Sequence, residues 1–261
     1  MSLSHTESAV LPLDAERTPP QYALRQILGV WAAAALPMAA LAWLVAPGLA
    51  GRLDGPAAWP QALIACLTAG LVWQGALVLV LVRRETKTLR WRAVADALWL
   101  RRPHSPRTGR VGGRVWWVLV PAVLVVGLGQ VLPKVHAPTG RDLGEFLRST
   151  TGHEFLSGNW PWFAVVVVMA LFNTVLGEEL LFRGLLLPRM RGVFGRGDWL
   201  ANGLLFAVYH LHLPWVIPTA LLDSVALALP SRRYRSAWLG IIVHSVQSVL
   251  IVGATLTLVL R

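Results

Sequence analysis

Between Leu176 and Leu186 the sequence reads LGEELLFRGLL, which sets Glu178, Glu179 and Arg183 in a run that is otherwise hydrocarbon. An ionisable side chain at membrane depth costs roughly 2.5–3.5 kcal/mol even on the lenient insertion scale, so it marks function by default. On a helix Glu179 and Arg183 stand at i and i+4, stacked on one face and able to pair. Glu178 is turned about 100° away and is left to face something else. Two later apolar runs supply partners. LLFAVYHLHL places Phe206 and His210 at i and i+4, and GIIVHSVQSVL does the same for His244 and Ser248. A free glutamate, two histidines and a small polar group suffice to hydrolyse a peptide bond. The glutamate takes a proton from water, one histidine holds that water, and the second histidine with the hydroxyl faces the developing oxyanion. Desolvation by apolar neighbours makes a carboxylate a stronger base, which suits the role. A second reading uses Glu178, His210 and His244 as zinc ligands, although no HExxH signature accompanies them.

These residues need a membrane scaffold to position them, and composition provides for one. Of 261 residues 55% are hydrophobic and only 14% charged, with a mean hydropathy of +0.56. That balance excludes an ordinary soluble enzyme and fits an all-α, polytopic membrane helical bundle. The net charge of +11 does not point to nucleic acid, because the basic residues bunch between apolar runs instead of lining one polar face. The single cysteine, Cys66, can form no intrachain disulfide. Residues 1–23 are polar, lack the apolar core of a signal peptide, and are expected to form a disordered cytoplasmic tail.

A spanning helix needs roughly 20 mostly apolar residues. On that measure the sequence predicts about seven spans, at 24–46, 59–82, 115–132, 160–187, 198–213, 214–229 and 237–260. The fifth and sixth are short and flank Pro214, so the number ranges from six to eight. The organisation is then N-terminal helices over 24–133, an extracytoplasmic loop at 134–159, and a helical core at 160–260 that carries the chemistry. With the N-terminus in the cytoplasm, inside segments hold 19 of the 24 Lys and Arg residues and outside segments 5. The positive-inside rule favours that orientation, in a multi-pass protein of the cell membrane. The basic loop 83–114 contains TLRWRAVADALWLRR, which reads equally as a helix lying in the headgroup layer or as an ordinary inside loop.

Depths counted from the cytoplasmic helix ends, at about 1.5 Å per residue, are about 13 Å for Glu178, 18 Å for His210 and 10 Å for His244. Three polar groups from three helices thus fall in one slab. His212 reads as an interhelical hydrogen bonder near the outer rim, and Asn173 and Asn202 as helix-packing polar groups. Asp223 is an ionisable residue at membrane depth, split evenly between structure and substrate contact. His5, His104, His136 and His153 lie in the tail or loops and receive no role.

EELLFRG, then FAVYH, then HSVQS resembles the three motifs of the CPBP group, which includes type II CAAX prenyl proteases, bacteriocin-processing proteins and Abi-type membrane proteins. The pattern there is EExxxR, FxxxH and HxxxN, and the resemblance covers roughly residues 160–252. It implies an intramembrane endopeptidase that is glutamate-dependent, acts on a membrane-associated peptide or protein, and opens to the cytoplasmic side. It implies no cofactor, and no partner beyond the lipid bilayer and the substrate. Carried over by position, Glu178 is the base, His210 its partner on the water, His244 an oxyanion-side donor, and Glu179 with Arg183 the supporting pair. Ser248 stands where the pattern has Asn. That departure motivates the alternative, a non-catalytic membrane scaffold or immunity protein that keeps the fold.

Overall fold

The computed structural model describes residues 19–131, 135–138 and 140–261. Among these the protein is all-helical, with one isolated bridge between His104 and Val111. Five helices are long and apolar enough to cross a membrane: α1 (Leu24–Ala50), α2 (Ala58–Thr86), α7 (Trp160–Arg189), α9 (Pro214–Tyr234) and α10 (Ala237–Val259). Between them lie α3 (Trp91–Ala97), α4 (Leu119–Val131), α5 (Leu143–Arg148), α6 (Thr150–Leu156) and α8 (Asp198–Tyr209).

Against the expected count of about seven, five helices among the described residues reach full spanning length. The apolar segment Gly113–Gly129, which ends within α4, is shorter than a full span. Helix α8 has 12 residues, about 18 Å of rise against a hydrocarbon core of about 30 Å. It stops in a 3-10 turn, His210–His212, and α9 begins at Pro214. The proline disfavours helical geometry in the residue before it, and Leu213 is extended, with φ −140° and ψ 69°. Helices α8 and α9 therefore form a broken hairpin whose turn carries His210 inside the bundle.

Hydrogen bonds gather the basic segments at one end. Arg189, fully buried, holds Glu85 at the end of α2 through both carboxylate oxygens and donates to the Ala97 and Leu185 carbonyls at 3.0 and 2.8 Å. The Tyr22 hydroxyl also donates to Glu85. Burial and that bond together raise the hydroxyl well above the ordinary phenol range. Asp198 and Arg232 join the start of α8 to the end of α9 at 2.8 Å, and the Ala237 amide donates to the Trp99 carbonyl at 2.9 Å. The loop 83–114 is therefore docked on helix ends, although Trp91 stays exposed. Residues 1–18 of the expected tail lie outside the described residues. At its other end the tail is fastened: Gln21 bonds the Pro188 carbonyl and the Gly192 amide. At the opposite end α6 meets α10, where the Gly158 amide donates to the Val259 carbonyl at 3.0 Å. There the Arg141 guanidinium lies 4.0 Å from the Trp43 ring and 4.6 Å from Trp59, a cation–π arrangement.

Helix α7 is not a regular α-helix. It widens into π geometry at Phe172–Gly177 and again at Leu180–Leu186, on either side of Glu178 and Glu179. Widened turns of this kind recur at functional sites. Gly177 permits the first of them, because a Cβ there would meet the Phe172 carbonyl at 2.5 Å and the Leu71 carbonyl of α2 at 3.1 Å.

Candidate active site

The Glu179–Arg183 pair anchors the site. Arg183 Nη1 lies 3.1 Å from Glu179 Oε1, and both side chains are fully buried. The guanidinium packs on the Phe206 ring at 4.1 Å, so the aromatic residue four before His210 roofs the cation. His244 Nδ1–H donates to the same Glu179 oxygen at 3.0 Å. Glu179 therefore joins α7 to α10 and orients a histidine as well as balancing an arginine. Close approach of α10 depends on Gly240, where a Cβ would collide with Glu179 Oε2 and meet Arg183 Cγ at 3.1 Å.

Glu178 points the other way, into a cavity of about 570 Å³ that His210 and His244 also line. Its carboxylate bonds to the Tyr209 hydroxyl, which accepts in turn from Gln74 Nε2 of α2 at 2.5 Å. His210 Nδ1–H donates to the Phe206 carbonyl at 3.0 Å. This fixes the neutral tautomer and leaves Nε2 as the free acceptor. The structure thus brings together Glu178, His210 and His244 and sets the ion pair immediately behind them.

Other positions differ from expectation. Ser248 is buried but is not part of the cavity wall; on α10 the wall is His244, Gln247 and Ile251. The helix is regular here, and the cavity lies on the i+3 side of His244 instead of the i+4 side. Asn173, expected to pack between helices, lines the cavity, because the π turn carries residues five apart toward one face. His212 also lines it, its ring 5.4 Å from that of His210, as do His136 and Asp223. Asn202 is a packing residue as read: its amide donates 2.8 Å to the Phe182 carbonyl. Tyr209 and Gln74 were missed. The available signal was Gln74 itself, an amide in the middle of an apolar span.

No three His, Cys, Asp or Glu side chains among the described residues converge as a metal-holding set, Glu178, His210 and His244 included.

The cavity extends along the bundle from Glu178 toward the segments that hold His136 and Arg148. Its floor is Glu178, His244 and Leu227, and it widens past Met169, Thr219 and Ile251 to His136, Asp142 and Arg148. Below the floor, toward the basic end, Leu181, Phe182, Arg183, Leu185 and Leu186 are fully buried.

The Tyr209 hydroxyl supports Glu178 and accepts from Gln74. Tyr209→Phe strands the buried Gln74 amide, so it is expected to cost about 1–3 kcal/mol of stability and to lower any Glu178-dependent cleavage about tenfold, the cost of about one charged-acceptor hydrogen bond. Initial rates beside thermal melting of the purified variant measure both halves of that expectation.

Residues 160–250, which hold every side chain of the floor, match the family model of Rce1-like type II CAAX prenyl endopeptidases. No curated protein and no solved structure matches the chain. The segment that joins Glu178, His210 and His244 is therefore similar to the Rce1-like type II CAAX prenyl endopeptidases.

Proposed function

We propose that the chain is an intramembrane endopeptidase in which Glu178 activates water. The observation that carries the proposal is the convergence of Glu178, His210 and His244 on one cavity, within a segment similar to the Rce1-like endopeptidases. Water held between the Glu178 carboxylate and His210 Nε2 loses a proton to Glu178 and attacks the peptide carbonyl carbon. The oxyanion forms toward His244, whose ring Glu179 orients. Collapse of the intermediate breaks the C–N bond, and Glu178 returns its proton to the leaving amine. The balance is one peptide and one water in, one carboxylic acid and one amine out, with no metal in any step.

With the basic loops on the cytoplasmic side, the mouth at His136 and Arg148 faces the exterior, and substrates enter from there. The chain has one cysteine, Cys66, so in a Cys66→Ser background His136→Cys and Arg107→Cys report the two ends. A membrane-impermeant maleimide is expected to label His136→Cys in intact cells and Arg107→Cys only after lysis; the reverse pattern would turn the protein over. Activity itself is tested by comparing peptide termini in host membranes carrying wild-type chain or Glu178→Gln at matched expression. Termini that appear only with wild type support the peptidase. Identical termini from two folded proteins favour the scaffold.

A further inference from the structure

We infer that Gln247 is the amide donor of the oxyanion site, the role that spacing along the sequence gave to Ser248. The inference rests on the peptidase reading above and names a group that reading leaves out.

A tetrahedral intermediate needs donors aimed at the nascent oxyanion, and only groups with a hydrogen to spare can serve. Three donors close to Glu178 are committed, and the other uncommitted amide on the wall, Asn173, stands on α7 with Glu178 and not on α10 beside His244. His210 Nδ1–H is spent on the Phe206 carbonyl. The Tyr209 hydroxyl is engaged by Glu178 and Gln74. His244 gives Nδ1–H to Glu179, so it can donate from Nε2 only while doubly protonated. Gln247, one turn beyond His244 on the same wall, lines the cavity and makes no hydrogen bond to another described residue. An amide has two N–H donors and no charge to titrate. It therefore keeps its donor whatever the protonation state of His244. Ser248, by contrast, lies outside the wall, so its hydroxyl does not reach the chamber in which Glu178 works.

Spacing explains the exchange. Residues i+3 and i+4 fall on opposite sides of residue i, by about 60° one way and 40° the other on a helix of 3.6 residues per turn. A cavity displaced toward the i+3 side selects Gln247 and excludes Ser248. The glutamine side chain is also one methylene longer than asparagine, which lets it reach inward from the flank of the helix.

The test takes its probe from the termini comparison: the most abundant Glu178-dependent cleavage is remade as a synthetic peptide spanning the cut, and rates are measured on purified protein. Gln247→Leu is expected to lower kcat about 10²–10³-fold, the usual cost of one oxyanion donor, with KM and melting temperature little changed. Gln247→Asn is expected to recover part of the loss, and Ser248→Ala to cleave within about twofold of wild type. A Gln247→Leu protein that cleaves like wild type, or a Ser248→Ala protein that loses the larger share, overturns the assignment and leaves the peptidase standing. If no Glu178-dependent terminus exists, the peptidase reading fails first and the assignment with it. Should Gln247→Leu melt early, Gln247→Glu decides, because it keeps the length and replaces the amide donor with an acceptor. Cleavage by Gln247→Glu at the wild-type rate overturns the assignment as well.

Discussion

Glutamine in place of Glu178 is expected to lower cleavage about 10²–10⁴-fold, the range attributed to a positioned general base, while the protein folds at least as well as wild type. The two halves of that result have one physical origin. Glu178 is almost fully buried, and its Oε2 has no hydrogen-bond partner among the described residues. Arg183 and His244, the nearest cationic groups, are directed to Glu179 instead. A carboxylate left this way weighs against the fold, since a buried ion without a full set of partners carries an uncompensated desolvation cost. The amide removes the charge, keeps the shape and still accepts from the Tyr209 hydroxyl, so melting temperature should hold or rise. Glutamine is not a base at any relevant pH, and without a base the water stays a poor nucleophile. Melting in detergent and the cleavage rate, measured on one preparation, separate this result from misfolding. Wild-type rates from a folded Glu178→Gln protein would remove Glu178 from the chemistry.

The split between Glu178 and Glu179 was legible in the sequence because it depends only on the turn of a helix, and the i, i+4 pairing of Glu179 with Arg183 depends on the same thing. Features set by departures from that turn were not legible. Asn173 reaches the cavity through a π turn, which forms where Gly177 lets α2 press against α7; neither helix alone encodes it. The shortness of α8 was half visible, since Pro214 was in view, but the apolar run on both sides of the proline reads as hydrocarbon whether or not it crosses. Ser248 and Gln247 lie on opposite flanks of His244, and only the placement of the cavity against α10 decides between them. The cavity wall likewise joins positions far apart in the chain, from Met38 and Leu67 to His136, Arg148 and Gln247. Charge counting orders the loops on two faces but does not reveal which face a cavity reaches.

The second large effect concerns the ion pair behind the site. Arg183→Ala is expected to destabilise the protein by about 3–5 kcal/mol, the usual consequence of removing one partner from a buried pair. It leaves Glu179 with His244 alone and strips the Phe206 face of its cation. A melting temperature shift on this scale, or loss of extractable protein, is the readout. The double replacement Glu179→Leu with Arg183→Met should behave differently. Two apolar side chains of similar bulk bury no charge, and such exchanges are often neutral or stabilising, so most of the lost stability should return. Activity should not return with it, because His244 loses the carboxylate that fixes its ring. A double variant that melts like wild type and cleaves poorly identifies Glu179 as a positioning residue acting through His244. One that melts and cleaves like wild type would reduce the pair to packing. Gly240 supplies an independent check on the same geometry. Gly240→Val should displace Glu179 by steric contact alone and reproduce the loss of stability without altering a single charge.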